Sequence, residues 1–475
     1  MQIPLLNGVY TDSGPEFRTS YPVNLVPVPK GTGISSEYLR PADGIISNGT
    51  GTGLNRGGIN WNGVCYRVIG TKLVSISSTG AVTTLGDVGS GGLVTFDYSF
   101  DNLAVSSGGR FYYWDGATLT QNTDADLGTV LDFTWIDSYY MTTDGEFLVV
   151  NDLTTDANGN LIPNYPSINP LKYGSSEIDP DPVVAVLKLR NEAVAVNRHT
   201  IEFFDNVGGT LFPFQRLEGA QITKGCVGTY ACCIFQQTVA FIGGGRNESP
   251  SIYLGVNASA TKIATQEIDT ILQGFTEAEL ALCKIEARID KSHEFLYVHL
   301  PDRTLVFDGS ASQAAGQQIW FTLTTSTGGF SQYLARDFVW CYDKWLVGNP
   351  ASGAIGYLSN TVSSHWAAKV RWEFATQIVY AESKGAVFNE LELVALTGRT
   401  AVGVDATIST SYSLDGISWS QNRFISAGSN GERRQRLVWF QNGSMRNWRA
   451  QRFQGDSDSQ ITFARIEAKF EALAY

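Results

Sequence analysis

The sequence predicts an all-β protein: a β-propeller of seven blades, with six as the alternative, carrying a short helical insert and a C-terminal β-sandwich-like domain. Three observations predict it. Glycine (49 residues) and aromatics (Tyr 20, Phe 25, Trp 11) outweigh methionine (3), a turn-rich and aromatic-rich balance that suits strands. A strand-and-turn phrase recurs along the middle of the chain. After about residue 365 the phrase is lost while strand-like text continues.

The phrase is an apolar strand, a turn, an Ala-Val-like strand, a turn, and an aromatic strand ended by Asp-Gly or Asp-Asn. Its clearest copy runs from Gly92-Leu-Val-Thr-Phe-Asp-Tyr through Leu103-Ala-Val-Ser-Ser to Arg110-Phe-Tyr-Tyr-Trp-Asp-Gly. Val183-Val-Ala-Val-Leu, Ala193-Val-Ala-Val-Asn and Thr200-Ile-Glu-Phe-Phe-Asp-Asn repeat it, as does Leu282 through Phe295-Leu-Tyr-Val-His-Leu to Thr304-Leu-Val-Phe-Asp-Gly. Further copies start near residues 60, 130, 229 and 333. A period of roughly 45 residues is that of a four-stranded propeller blade, which must stack on neighbours because it cannot bury both faces alone.

Residues 1–55 contain Tyr21-Pro-Val-Asn-Leu-Val-Pro-Val-Pro-Lys and read as an extended arm leading into the propeller, assigned to 56–364. Within it, Pro163, Pro166, Pro170, Pro180 and Pro182 mark 160–182 as a long inter-blade loop. In 265–284, Ile268, Ile271 and Leu272 recur at helical spacing, and Thr276-Glu-Ala-Glu offers a capping box, so this is the helical insert. Residues 365–475, with Leu391-Glu-Leu-Val-Ala-Leu and Ile461-Thr-Phe-Ala-Arg-Ile-Glu-Ala-Lys-Phe, form the C-terminal β domain.

A net charge of -12 argues against wrapping nucleic acid by phosphate neutralisation. The opening residues carry no basic leader and no long apolar run, so a cytosolic product without membrane insertion is expected. Cys65, Cys226, Cys232, Cys233, Cys283 and Cys341 lack metal spacing and read as reduced core thiols. His199, His293, His299 and His365 sit in no catalytic frame; His293 and His299 flank one strand six residues apart without a Cys or carboxylate pattern to complete a metal site, and read as turn or surface histidines. Asp156-Ala-Asn-Gly-Asn lacks the spacing of a calcium loop and reads as a hairpin turn; Gly243-Gly-Gly-Arg-Asn lacks the Lys-Ser/Thr of a phosphate loop and reads as another. Ser411-Tyr-Ser-Leu-Asp-Gly-Ile-Ser-Trp loosely resembles the structural Asp-box turn of sialidase-type propellers. No catalytic, cofactor or metal residue is assigned, and an enzyme is not expected; a carbohydrate-binding or glycan-hydrolysing propeller is the alternative, requiring clustered carboxylates.

One charge anomaly remains. Arg423, Arg433, Arg434, Arg436, Arg446, Arg449 and Arg452 cluster with Trp439, Phe440 and Trp448 in an otherwise acidic chain. Arg beside aromatics is interface chemistry, so these are candidate partner contacts, against the alternatives of a solvated β face and of DNA binding.

Several segments then resemble, in order and spacing, the tail-hub or packaged-DNA stabilisation proteins of short-tailed double-stranded DNA phages. They include Tyr21-Pro-Val-Asn-Leu with Pro29-Lys30, Tyr38-Leu-Arg, Thr200-Ile-Glu-Phe-Phe, Lys224-Gly-Cys-Val-Gly-Thr-Tyr, Pro250-Ser-Ile-Tyr, Phe275-Thr-Glu-Ala-Glu, Ser292-His-Glu and Leu305-Val-Phe-Asp. The resemblance implies a non-catalytic virion protein, assembled in the host cytoplasm as a hexameric ring under the portal and its adaptor. It also implies that the ring closes the channel after packaging, carries the tail needle and the tailspikes or fibres, and lets channel DNA pass without sequence-specific binding. An acidic bore is the physical expectation for such passage.

Overall fold

Alternation of side chains across each strand builds the central sheets. In the second of them (Thr95–Tyr98, Leu103–Ser107, Arg110–Trp114, Leu119–Gln121), Leu103 and Val105 lie with Tyr112 and Trp114 on one face, and Ala104 with Phe111 and Tyr113 on the other. The first face packs on Val68 and Leu73 of the preceding sheet, the second on Phe133 and Tyr140 of the following one. Both faces are buried, and this is why the strands read as continuous apolar runs.

The computed structural model describes residues 2–3, 9–10, 19–29, 37–176, 178–376, 379–380 and 384–473. Two compact units divide the chain: Ser47–Ala287 with Leu334–Tyr357, and Met1–Ile46 with Arg288–Tyr333 and Leu358–Tyr475. Seven antiparallel sheets of the blade type follow one another, opening with Asn55–Trp61, Thr95–Tyr98, Asp132–Ile136, Val183–Leu189, the pair Gly225–Cys226 and Cys232–Phe235, Lys284–Asp290, and Arg336–Cys341. Among the described residues the blade-type sheets number seven rather than six.

The first unit closes on itself without a turn. The last blade takes its outermost strand, Gly44–Thr50, from the beginning of the chain, and Gly51 N donates to Gly353 O at 2.8 Å. Val339, Cys341, Leu346 and Ile355 of that blade share a core with Cys65, Ile69, Val74 and Ile76 of the first. Closure hides edges that would otherwise template aggregation.

In the second unit two sheets face each other. One orders Leu25–Pro29, Glu37–Pro41, Thr462–Ala472, Ala386–Leu396 and Leu437–Phe440; the other orders Arg371–Ala375, Trp448–Asp456, Thr407–Ser413 and Arg423–Ser426. Trp372, Phe374, Phe388, Trp439, Phe453 and Phe463 fill the space between them, with Trp372 and Phe463 ring centroids 4.8 Å apart. The unit also contains the later strands of the sixth blade, joined to the sandwich by Asn24, whose Nδ2 donates to Thr324 O (3.0 Å) and Arg371 O (2.7 Å).

Two expectations are corrected. The segment expected as a Pro-rich loop is largely strand Leu161–Ser175, paired to Phe147–Thr155 with register breaks around Asn151. Proline is compatible there because the strand is outermost in its blade and its far edge needs no donors. The expected N-terminal arm is likewise taken into sheets: Leu25–Pro29 pairs with Glu37–Pro41 as an edge strand that tolerates Pro27 and Pro29, and Gly44–Thr50 closes the last blade. Residues 4–8, 11–18 and 30–36 of that arm lie outside the described residues. A helix not foreseen, Gly309–Ala315, starts on the Asp308 side chain, which accepts from Ala311 N at 3.0 Å. The helical insert holds Gln266–Gln273, capped by Thr265, and Glu277–Ala281, opened by the Thr276 and Glu279 capping box.

Candidate partner-binding surfaces

The arginines that stand close in sequence are sorted by the sandwich into four environments. Residues 449, 451 and 453 of one strand point the same way, and Phe453 is in the core, so Arg449 is carried inside with it. Arg449 is buried; its Nε and Nη2 donate to Gln451 Oε1 at 3.0 and 2.6 Å, and its guanidinium lies 4.0 Å from the Tyr412 ring and 4.4 Å from the Phe388 ring. Burial pulls its pKa down to about 10. Trp439 is buried as well and donates from Nε1 to Arg423 O at 2.9 Å. As partner contacts Arg449 and Trp439 are therefore corrected: both side chains lie inside the sandwich.

Arg436 is exposed but engaged, with Nε 2.8 Å from Glu392 Oε1 and Nη2 3.5 Å from Glu390 Oε1. These carboxylates hold its pKa above the ordinary arginine value. Arg452 is half-buried, donates from Nε to Ser411 Oγ at 3.2 Å and stacks 4.2 Å from the Trp419 ring. Arg423 is exposed and donates to Gln441 O at 2.9 Å, and Trp448 is half-buried. Arg433, Arg434 and Arg446 are exposed, as is Phe440 at 61%. The residues available to a partner thus lie at 423, 433, 434, 440 and 446, on strand ends and loops.

The first unit has a different polar signature, along the opening strand of successive blades. Asp97 Oδ2 accepts from Trp135 N at 2.6 Å, Asp132 Oδ2 accepts from Val186 N at 2.9 Å, and Glu286 accepts from Asp337 N at 3.0 Å and Phe338 N at 3.2 Å. In each case a carboxylate on one blade clips the backbone of the next. Asp337 is itself buried and paired with Lys284. Burial alone would raise its pKa, but Lys284, Arg67 and Arg336 hold it down at about 2. At Asp132 burial outweighs the hydrogen bonds it accepts from Thr95 and Val186 and pushes it up to about 7. Arg56 answers with the opposite charge, donating to Gly92 O, Gly70 O, Gly89 O and Ser107 Oγ at 2.6 to 2.9 Å. Pattern reading missed these clips because each lone acid lies inside a strand of ordinary text.

The other motifs are structural. In Gly243-Gly-Gly-Arg-Asn the Glu248 carboxylate accepts from Gly245 N at 3.0 Å, filling the place an anion would take. Asp156 accepts from Asn158 N and Asn160 N at 2.8 Å each, making a hairpin turn. Asp415 accepts from Ile417 N (2.9 Å) and Ser418 N (2.8 Å), and these bonds with the Ser418 hydroxyl hold its pKa well below the usual carboxylate range. His293 and His299 flank a stack along one strand face, with Nδ1 of each bonded to Asp308 (2.5 Å) and Thr304 (3.0 Å). His299 is buried rather than superficial; His365 is buried too, and burial lowers its pKa to about 3. The six cysteines are free thiols, and no group of three metal-type ligands converges among the described residues.

Comparison with known proteins divides the chain once, between residues 363 and 371. The family model described as "Bacteriophage P22 Gp10, beta-propeller" matches residues 1–363, and that described as "Bacteriophage P22 Gp10, beta-sandwich" matches residues 371–471. The chain belongs to the phage P22 Gp10 family. It is 27% identical to the "Tail hub protein gp10" of Salmonella phage P22 over 99% of both chains. Among solved structures, the WD40 domain of Neurospora crassa Pan2 is similar at a TM-score of 0.41 and 10% identity, covering 67% of this chain and 95% of that one. PorZ of Porphyromonas gingivalis is similar at 0.39 and 10% identity, covering 80% and 46%. Within the Gp10 family division, the strands Leu25–Pro29 and Glu37–Pro41 fall in the propeller model's range yet complete a sheet of the sandwich.

Proposed function

We propose that this chain is the structural hub of a short phage tail. In this reading, copies form a hexameric ring in the host cytoplasm that docks beneath the portal and its adaptor and closes the channel on packaged DNA. The ring then carries the tail needle and the tailspikes or fibres. The observation that carries the reading is the collinear match to a tail hub protein over 99% of both chains. A non-catalytic role is supported by what occupies the candidate motifs: Glu248 fills the glycine-rich turn and Asp415 is spent on its own turn. Docking is assigned to the exposed arginines at 423, 433, 434 and 446, and DNA passage to an acidic bore.

Electron microscopy of the purified chain, alone and with the phage portal complex, tests it. A ring seated under the portal is expected, and a monomer that never docks overturns the proposal. Charge reversal of Arg433, Arg434 and Arg446 together leaves the fold intact, since all three are exposed, and is expected to abolish co-sedimentation with the tail. Unchanged assembly would remove the arginine contact while leaving the hub in place.

A further inference from the structure

A cleft of about 410 Å³ in the second unit is lined by three cations from three separate elements. Arg40 comes from the strand Glu37–Pro41, Lys291 from the turn before His293–His299, and Arg399 from the segment after Ala386–Leu396. Among the described residues no carboxylate lines the cleft. Asp43, the one acid within reach of Arg40 at 3.4 Å, is shared with buried Arg288 at 3.3 Å. Lys291 and Arg399 are exposed and, among the described residues, have no ion-pair partner. In a chain of net charge -12, the three cations converge where the nearby acid, Asp43, also acts on Lys291 and is already shared with Arg288, so the charge is only partly compensated.

The remaining walls narrow the ligand class. Asn360 and Gln460, linked by a 3.2 Å hydrogen bond from Gln460 Nε2, present amide groups at one side, and Pro41 and Leu396 present apolar surface at another. A nucleic-acid backbone asks for a line of cations and meets the repulsion of the whole chain. A short segment feels only the local charge, because the field of the distant acids is screened over about 10 Å. The volume falls within the roughly 300–1,000 Å³ of sites that enclose a small ligand or a few side chains. We infer that this cleft captures an aspartate- or glutamate-bearing segment of a partner protein. The inference goes beyond the hub proposal and stands independently of it, being read on the isolated chain.

The test is fluorescence polarisation with the full-length protein and a labelled oligoglutamate peptide, against a labelled DNA oligonucleotide. The peptide is expected to bind, to weaken with salt, and to weaken by about tenfold or more in Lys291→Glu/Arg399→Glu. Lys291→Arg/Arg399→Lys is expected to retain binding, and both variants to unfold at the wild-type temperature. Absence of peptide binding, an unchanged affinity in the reversal variant, or tighter binding of the oligonucleotide through the same residues would each overturn the inference. Ring formation and portal docking are separate readouts, so failure here and failure of the hub reading are distinguishable.

Discussion

The blades and the sandwich solve the problem of cohesion differently. In the first unit, apolar faces pack blade on blade, and the carboxylates of Asp97, Asp132 and Glu286 also accept directional bonds from the backbone of the next opening strand. In the sandwich, aromatic packing dominates, and the deeply buried Arg449 is met by an amide and two rings rather than by a carboxylate among the described residues. A ring of similar units must repeat an angle to close, which non-directional burial does not specify. Two facing sheets need only fit.

The contrast breaks first at Asp337. Asp337→Asn keeps the shape and tolerates the left-handed backbone at this position (φ 59°), but leaves Lys284 and Arg67 without their buried counter-charge. Removing one partner of a buried pair costs about 3–5 kcal/mol. The expected outcome is a large fall in the urea midpoint of propeller unfolding, with the sandwich transition unmoved; an unchanged midpoint would mean that the joint is held by apolar packing alone.

The pH dependence should run in opposite directions at two joints. Asp337, held at about 2, contributes stability that is present above the ordinary carboxylate pKa and lost as pH falls through about 2. Asp132, pushed up to about 7, binds its proton more tightly in the fold, so unfolding free energy declines as pH rises from about 4 to about 7. The slope is at most about 1.4 kcal/mol per pH unit, and Asp132→Asn should flatten it in denaturation curves taken across that range.

In the sandwich, Gly455→Ala is the corresponding break in apolar fit. A Cβ there would lie 2.3 Å from Trp372 Cζ2, and that ring cannot swing aside because Nε1 donates to Asp456 O (3.0 Å) and Ser459 Oγ (3.1 Å). Overpacking of this kind costs about 1–3 kcal/mol, measured as a lower midpoint confined to the sandwich.

Much of the architecture was legible because blades are local: strand, turn and strand succeed one another, and alternation within each marks its two buried faces. The closing strand Gly44–Thr50 was not, because its partner Ala354–Ser359 lies some 300 residues away and no turn announces it. Two-residue hairpins at Gln236-Gln237 and Lys291-Ser292 adopt left-handed backbone without glycine, so their composition gave no warning. The arginine cluster misled because clustering along a chain says nothing about facing. Parity did carry the information: Arg449 is in step with Phe453, and a strand sends both to one side. The cationic cleft had no local signature, since Arg40, Lys291 and Arg399 meet only through the fold.

The smallest effect is expected where the buried charge lacks a counter-charge. Arg449→Met keeps the unbranched stem against Phe388 and Tyr412 and removes a guanidinium whose Nη1 finds no acceptor among the described residues. The desolvation of that cation no longer has to be met, while Gln451 Oε1 loses two donors and its Nε2 keeps its bond to Thr410 Oγ1. These terms oppose one another, and the sandwich midpoint should move by no more than about 1 kcal/mol. A loss as large as that of Asp337→Asn would show that Arg449 organises the sandwich as the carboxylate clips organise the blades, and the distinction between directional joints and fitted faces would fail.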